Sequence, residues 1–371
     1  MNLDIPFHRL YNQRLSQTGF RNPADIVRWL GAVQAQDYAG AKWALGLRTV
    51  GLTDPDIDRA FADGSILRTH LMGPTWHFVA PEDIRWLLML TSPRVHTAST
   101  FMYRTLEIDK PILKKSYAAL EKALGGYRYR TRAELSSALE NSGIIATGQR
   151  LGYIVMAAEL DGIVCSGPRK GKQFTYALLD ERVPAARNLT REEALAELTR
   201  RYFSTRGPAT LHDFTWWSGL TMADAKAGME MVRPEFVSEE IEGQTFWFRD
   251  SNPPPRLKYP TAYLLPNYDE YFIGFKDRSA IGKVAEKEGV RKDDLAFLAH
   301  IIILDGQVVG GWRRTLKKDG MIVEASLITR LAMGEEKAVT QAAEKFGEFL
   351  GLPVTLTMKE SSDEQRSPRS F

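Results

Sequence analysis

One succession recurs three times along this chain: a helix, a second helix, then two short β-prone runs joined by a turn. That order is the plan of a winged helix, a helix-turn-helix relative whose hairpin forms the wing. The repeats share little sequence, so the recurrence is one of pattern. A chain of 371 residues is long enough for two to four such modules, each burying its own apolar face. The expected class is α+β.

In the first unit Asn22 is placed to cap a helix with Pro23 at its first position, and Ile26, Trp29 and Leu30 follow at helical spacing. This pattern predicts a helix running into the region of Gln34. Thr53 caps a second helix that carries Asp54 and Asp56 at the positive end of its dipole and stops at Gly64. Ile66 to Met72 and Thr75 to Val79 are β-prone runs joined through Gly73-Pro74, and Pro81-Glu82-Asp83 opens a further helix through Leu90.

The second unit begins at the capping box Thr131-Arg132-Ala133-Glu134, with a helix ending near Gly143. Gln149 to Leu160 supplies a helix of recognition-helix length. Ile163-Val164-Cys165 and Phe174 to Leu178 then flank a basic turn from Gly167 to Lys172, a shape suited to phosphate contact through Arg169, Lys170 and Lys172. A linker around Pro184 leads to the third unit, with a helix from Thr190, helices over Ala209 to Gly219 and Met222 to Met231, and a hairpin around Glu242-Gly243. Pro253-Pro254-Pro255 marks the start of a more β-rich module, in which Ile301 to Leu304, Asp305-Gly306 and Val308 to Trp312 give a strong hairpin signal, because Asp-Gly suits a type I′ turn. Ala325 to Met333 reads as a strand or turn and Glu335 to Leu350 as a helix. The expected divisions are 1–100, 101–183, 184–252 and 253–358, with 359–371 a disordered polar tail.

Composition narrows the function classes. The net charge is only +3, so attraction to polyanions must come from local clusters such as those over 127–132, 169–172 and 313–318. Each cluster reads equally as solvated surface. Cys165 is the only cysteine, and the six histidines lack ligand spacing, so neither a disulfide nor a metal site is expected. Residues 1–10 lack a signal-peptide core and no apolar run has transmembrane length, which makes a cytoplasmic protein without membrane partner the expectation.

From residue 29 onward the sequence becomes specific. Trp29-Leu30-Gly31-Ala32-Val33-Gln34-Ala35-Gln36-Asp37-Tyr38, Trp43-Ala44-Leu45, the run from Leu67 to His77, Leu264 to Tyr271 with Lys276-Asp277-Arg278, and Asp305 to Arg314 resemble the tandem winged-helix DNA glycosylases of the azinomycin self-resistance type. These segments span nearly the whole chain. The resemblance implies three winged-helix motifs followed by a C-terminal β-rich, barrel-like domain. It implies monofunctional removal of alkylated purines from double-stranded DNA, including crosslinked bases in some members, with no cofactor and no obligate protein partner. Gln34-Ala35-Gln36 matches the Gln-aliphatic-Gln branch, with Ala35 small for the middle position, and makes Gln34 and Gln36 the candidate catalytic pair.

Chemistry restricts what two amides can do. Hydrolysis of a C1′–N bond passes through an oxocarbenium-like state, for which enzymes commonly recruit carboxylates. An N3- or N7-alkylpurine is already cationic and leaves as a neutral base, so no general acid is needed. A carboxamide carbonyl can then accept from the attacking water while its NH2 donates to a sugar or phosphate oxygen. In an extended or turn segment the two glutamines point the same way; in a continuing helix they diverge by about 200°. Glutamines at a helix end also serve simply as caps or solvated surface.

Further DNA-binding candidates carry paired readings. His70 and His77 lie across the first hairpin, either touching DNA or half-buried in the hairpin. Arg68 and Thr69 suit phosphate contact or structure. Trp312, Arg313 and Arg314 follow the Asp-Gly hairpin and suit insertion into or bracing of a groove, or surface structure. Asp37 suits an N-cap, Tyr38 and Trp43 a core or a stacking platform, and Asp269 an ion pair with Arg278. Two other classes compete with a glycosylase: a non-catalytic winged-helix regulator, and a scaffold binding a protein partner.

Overall fold

The computed structural model describes residues 3–183, 187–249, 258–290 and 300–360. Helix α1 (Ile5–Asn12) precedes α2 (Pro23–Leu30), whose N-terminus is capped by Asn22 as the sequence predicts. The helix does not continue to Gln34. Gly31, at φ 80° and ψ −48°, ends it, and the chain enters a two-residue strand, β1 (Val33–Gln34). Only glycine adopts that backbone conformation without strain. Then come α3 (Tyr38–Leu47), α4 (Asp54–Asp63), the hairpin β2 (Leu67–His70) and β3 (Trp76–Val79), and α5 (Ile84–Ala98), which passes Leu90 and contains Pro93.

The second unit is built from α6 (Thr100–Thr105), α7 (Lys110–Leu124), β4 (Arg130–Thr131), α8 (Arg132–Glu140), α9 (Gly148–Leu160), β5 (Val164–Lys170) and β6 (Gln173–Leu178). The capping box of Thr131 and Glu134 is formed, and Leu135, Leu139, Leu151 and Ile154 join one core. The short α10 (Leu179–Arg182) ends the second unit, and the third comprises α11 (Arg191–Arg206), α12 (Leu211–Ser218), α13 (Met222–Val232), and the hairpin β7 (Val237–Ile241) and β8 (Gln244–Phe248). Pro184 and the Pro253-Pro254-Pro255 boundary lie outside the described residues.

The last part contains β9 (Ala262–Leu265), α14 (Glu270–Ile273), α15 (Lys283–Lys287), β10 (Ile301–Leu304), β11 (Gln307–Lys317), β12 (Gly320–Leu327), α16 (Met333–Leu350) and β13 (Val354–Glu360). The Asp305-Gly306 turn has positive φ at both residues, as a type I′ hairpin needs. Among the described residues the sheet is open, in the order β13-β12-β11-β10-β9, so no closed barrel forms. The chain stays ordered past Lys359, because β13 pairs in parallel with β12 as far as Glu360; the rest of the expected tail, 361–371, lies outside the described residues.

The first unit and this last part share one core. Trp43 of α3 packs on Phe346 and Phe349 of α16, with ring centroids 4.8 and 5.2 Å away, and its indole N–H donates to the Leu264 carbonyl. Side chains separated by about 300 residues therefore bury the same apolar surface, the dominant favourable contribution to folding.

Candidate active site

The glutamine tripeptide is clamped from three sides. The Gln34 N–H donates to the Glu270 carboxylate at 3.0 Å, and Glu270, fully buried, also accepts from the Arg206 guanidinium at 2.6 Å and from the Trp217 indole at 2.9 Å. Arg206 reaches the Leu30 and Ala32 carbonyls, so one buried ion pair fixes the turn between α2 and β1. On the other side the Arg68 Nε donates to the Ala35 carbonyl at 3.0 Å. Asp37 caps α3 by accepting from the Gly40 N–H. Tyr38 and Trp43 are core residues, Tyr38 meeting Phe61, Phe78 and Phe174 edge-on.

β1 pairs with β3, and β3 with β2, which places Gln34, His77 and Thr69 in one row of a three-stranded sheet. Opposed residues share a face. The Gln34 carboxamide oxygen and the Thr69 hydroxyl are both buried without a protein partner among the described residues. The imidazole of His77 is buried in the same row, and burial pushes its pKa down to about 4. Gln36 lies past the end of β1, where the chain bends, and is exposed; its carboxamide oxygen meets the Trp76 N–H at 3.5 Å. The expected alternation of an extended segment thus holds to Gln34 and is interrupted before Gln36.

Gln36 opens onto a cleft of about 470 Å³ between the first hairpin and α9. His70, Trp76, Arg132, Gln149 and Tyr153 stand on its walls. His70 stacks on Trp76, with centroids 4.2 Å apart, and its Nδ1 contacts the Glu159 carboxylate closely. Glu159 is itself buried, at 1% exposure. A glutamate inside a helix pattern carries no sign of such a partner 89 positions away, so this residue was invisible to sequence reasoning.

Several DNA-binding expectations are corrected by burial. Arg68 is 7% exposed, sandwiched between Trp76 and Phe174 at 4.3 and 4.4 Å, and burial pushes its pKa down to about 10. It braces the tripeptide and is not open to phosphate. Thr69 is fully enclosed, and Trp312 spends its indole N–H on the Leu265 carbonyl while packing on Phe346. Arg314 lies over the same Phe346 ring. Arg169 is half-buried above Tyr38 and Phe174, because the second hairpin leans on the first: the Arg68 N–H donates to the Ser166 hydroxyl at 2.8 Å. Lys170 and Lys172 remain exposed, Lys170 beside Glu134, and Arg313 is exposed beside Glu324. Asp269 pairs with Arg48, not Arg278, whose Nε turns to the Phe272 carbonyl.

Among the described residues no group of three or more His, Cys, Asp or Glu is gathered for a metal ion, and no helix is long and apolar enough to cross a membrane. Cys165 is buried, which pushes its thiol up to about 12 and leaves it a poor nucleophile.

Comparison with known proteins decides the class. The chain matches the family described as DNA glycosylase AlkZ-like over residues 27–349. It belongs to the AlkZ-like DNA glycosylase family. An "Interstrand DNA cross-link repair glycosylase" from Streptomyces sahachiroi is 22% identical over 350 residues, covering 91% of this chain and 92% of the relative. The solved structure of Streptomyces sahachiroi DNA glycosylase AlkZ has the same fold, with a TM-score of 0.77 at 20% identity, over 95% of this chain and 98% of that one. The AlkZ-like assignment favours an enzyme over the regulator and the scaffold, and the matched region includes the tripeptide, its clamp and the cleft.

Proposed function

We propose that this AlkZ-like glycosylase hydrolyses the N-glycosidic bond of cationic N-alkylated purines in duplex DNA, with Gln34 and Gln36 positioning the attacking water and the oxocarbenium-like sugar. The observation that supports this most directly is the unspent acceptor on Gln34: a buried carboxamide oxygen without a protein partner, on a backbone held by Glu270 and Arg68. Leaving a buried acceptor unpaired costs about 1–3 kcal/mol, an expense that a site made for a bound water recovers. Two residues on, Gln36 presents its carboxamide to the cleft. A neutral amide cannot hold the proton it would take, so this pair works by positioning, which suits a leaving group that already carries positive charge.

The three helix, helix and hairpin units are read as winged helices with the boundaries given above, α9 lying along the cleft as the reading element. The exposed cations Arg132, Lys170, Lys172 and Arg313 supply backbone contacts. Gln36 is exposed at the cleft, and one relative is named an interstrand DNA cross-link repair glycosylase, so crosslinked purines fall within the proposed range.

Duplex DNA carrying N7-methylguanine, scored for abasic sites under single turnover, tests this function. The Gln34→Ala, Gln36→Ala double variant is expected to lose about 10- to 100-fold in rate while retaining DNA affinity. No release by the unaltered protein, or an unchanged rate in the double variant, refutes it.

A further inference from the structure

The positioning mechanism leaves one proton unassigned. Water that adds to C1′ must give up a proton, and neither glutamine can keep it. His70 pairs with Trp76, on the face of the first sheet away from the Gln34, His77 and Thr69 row, and stands on the wall of the cleft that Gln36 faces, so the water it serves is one at Gln36. Its ring lies against Trp76 at a tilt of 42°, and its Nδ1 is engaged by the Glu159 carboxylate. A buried carboxylate on one ring nitrogen holds the proton there, leaves the lone pair on Nε2, and stabilises the imidazolium once formed. Glu159 is 1% exposed on α9 and His70 5% on β2, so the pair joins two elements through a buried contact.

We propose that His70, held by Glu159, is the general base of the hydrolysis. The inference rests on the function proposed above. In the reaction the water oxygen bonds to C1′, the C1′–N bond breaks, and its electron pair returns to the purine, neutralising the ring's positive charge. The water proton passes to Nε2 of His70, and the imidazolium is held against Glu159. His70 is the catalytic residue here; Glu159 is a positioning residue that acts through it.

Single-turnover release of N7-methylguanine from duplex DNA, measured as a function of pH, tests the pair. The charged or titratable groups around His70 are Glu159 and Tyr153 from α9, Arg132 from α8, Tyr176 from β6 and Arg68 from its own strand, with His77 of β3 acting through its charge from the other face of the sheet. The unaltered enzyme is expected to slow as the pH falls, as a reaction that needs an unprotonated general base must. His70→Gln is expected to lose about 100-fold and to lose that acid limb. Glu159→Gln, which keeps an acceptor but not the charge, is expected to lose about tenfold and to move the acid limb to lower pH, because the imidazolium is less stabilised. A purely structural role would not move the limb. DNA affinity and unfolding midpoint are measured alongside, and if His70→Gln does not fold, the limb of Glu159→Gln decides. Robust release by the unaltered enzyme with the same acid limb in both variants overturns this inference alone. Absence of release by the unaltered enzyme overturns it together with the function on which it rests.

Discussion

His77 lies between Gln34 and Thr69 in the first sheet, so its imidazole is enclosed by strands on both sides. Burial lowers its pKa from 6.5 to about 4. The unfolded chain therefore binds the proton more tightly, and the contribution of His77 to stability is complete above about pH 6.5 and is lost as the pH falls towards 4. A shift of that size corresponds to about 3 kcal/mol. Urea titrations of the unaltered protein and of His77→Asn are expected to run parallel above about pH 7 and to converge below it as the unaltered protein loses this increment. Parallel curves throughout would rule out a neutral buried His77. The sequence left His77 and Arg68 open between DNA contact and structure and placed Trp312 at the surface, and for a physical reason. Each has a polar tip on an apolar body, and whether the tip finds a partner such as the Ala35 or Leu265 carbonyl depends on chain segments far away.

Elements were more legible than residues where the signal is local. The capping boxes at Thr53, Thr131 and Thr190 each open a helix, and the Asp305-Gly306 turn joins two paired strands. A capping box is contained within four residues, so tertiary contacts need not be known to read it. The end of α2 was misread because periodic apolar residues continue past Gly31, whereas the backbone reverses there. Only the last two residues of β13, Lys359 and Glu360, fall in the expected tail, because both are polar and exposed, although Val354 and Leu356 alternate as an edge strand should. The turn at Gly31 sets where Gln34 enters the sheet. Replacing it by alanine, at φ 80°, is expected to cost about 1–2 kcal/mol in stability, and to reduce base release by more than the unfolded fraction explains, with DNA affinity retained. Thermal unfolding and single-turnover release on one preparation check this; a Gly31→Ala protein with unaltered rate would show that the site tolerates displacement of β1.

At the scale of the molecule, two adjacent acids tie the last module to the first and third. Asp269 forms a bidentate pair with Arg48, the residue that follows α3, both fully buried, at 2.8 Å on each oxygen. Glu270, the next residue, turns to Arg206 of α11 and to the Gln34 N–H. Asp269 and Arg48 are 221 residues apart in sequence, and a doublet of acids after a turn looks like ordinary surface, which is why the sequence pointed to nearby Arg278 instead. Removing one member of a buried pair leaves a charge in the interior without compensation, at a cost of about 3–5 kcal/mol, whereas replacing both by apolar residues is often close to neutral. Asp269→Ala is therefore expected to lower the urea midpoint strongly and to slow base release through the loosened Glu270 segment. Arg48→Met combined with Asp269→Leu should recover most of that stability but not all, because Asp269 also caps α14 by accepting from the Tyr271 N–H, a contact worth about 1 kcal/mol. If base release recovers with stability in the double replacement, the pair acts only as a fastener between modules. If stability recovers and release does not, the carboxylate of Asp269 is required to set the direction of Glu270, and through it the position of Gln34.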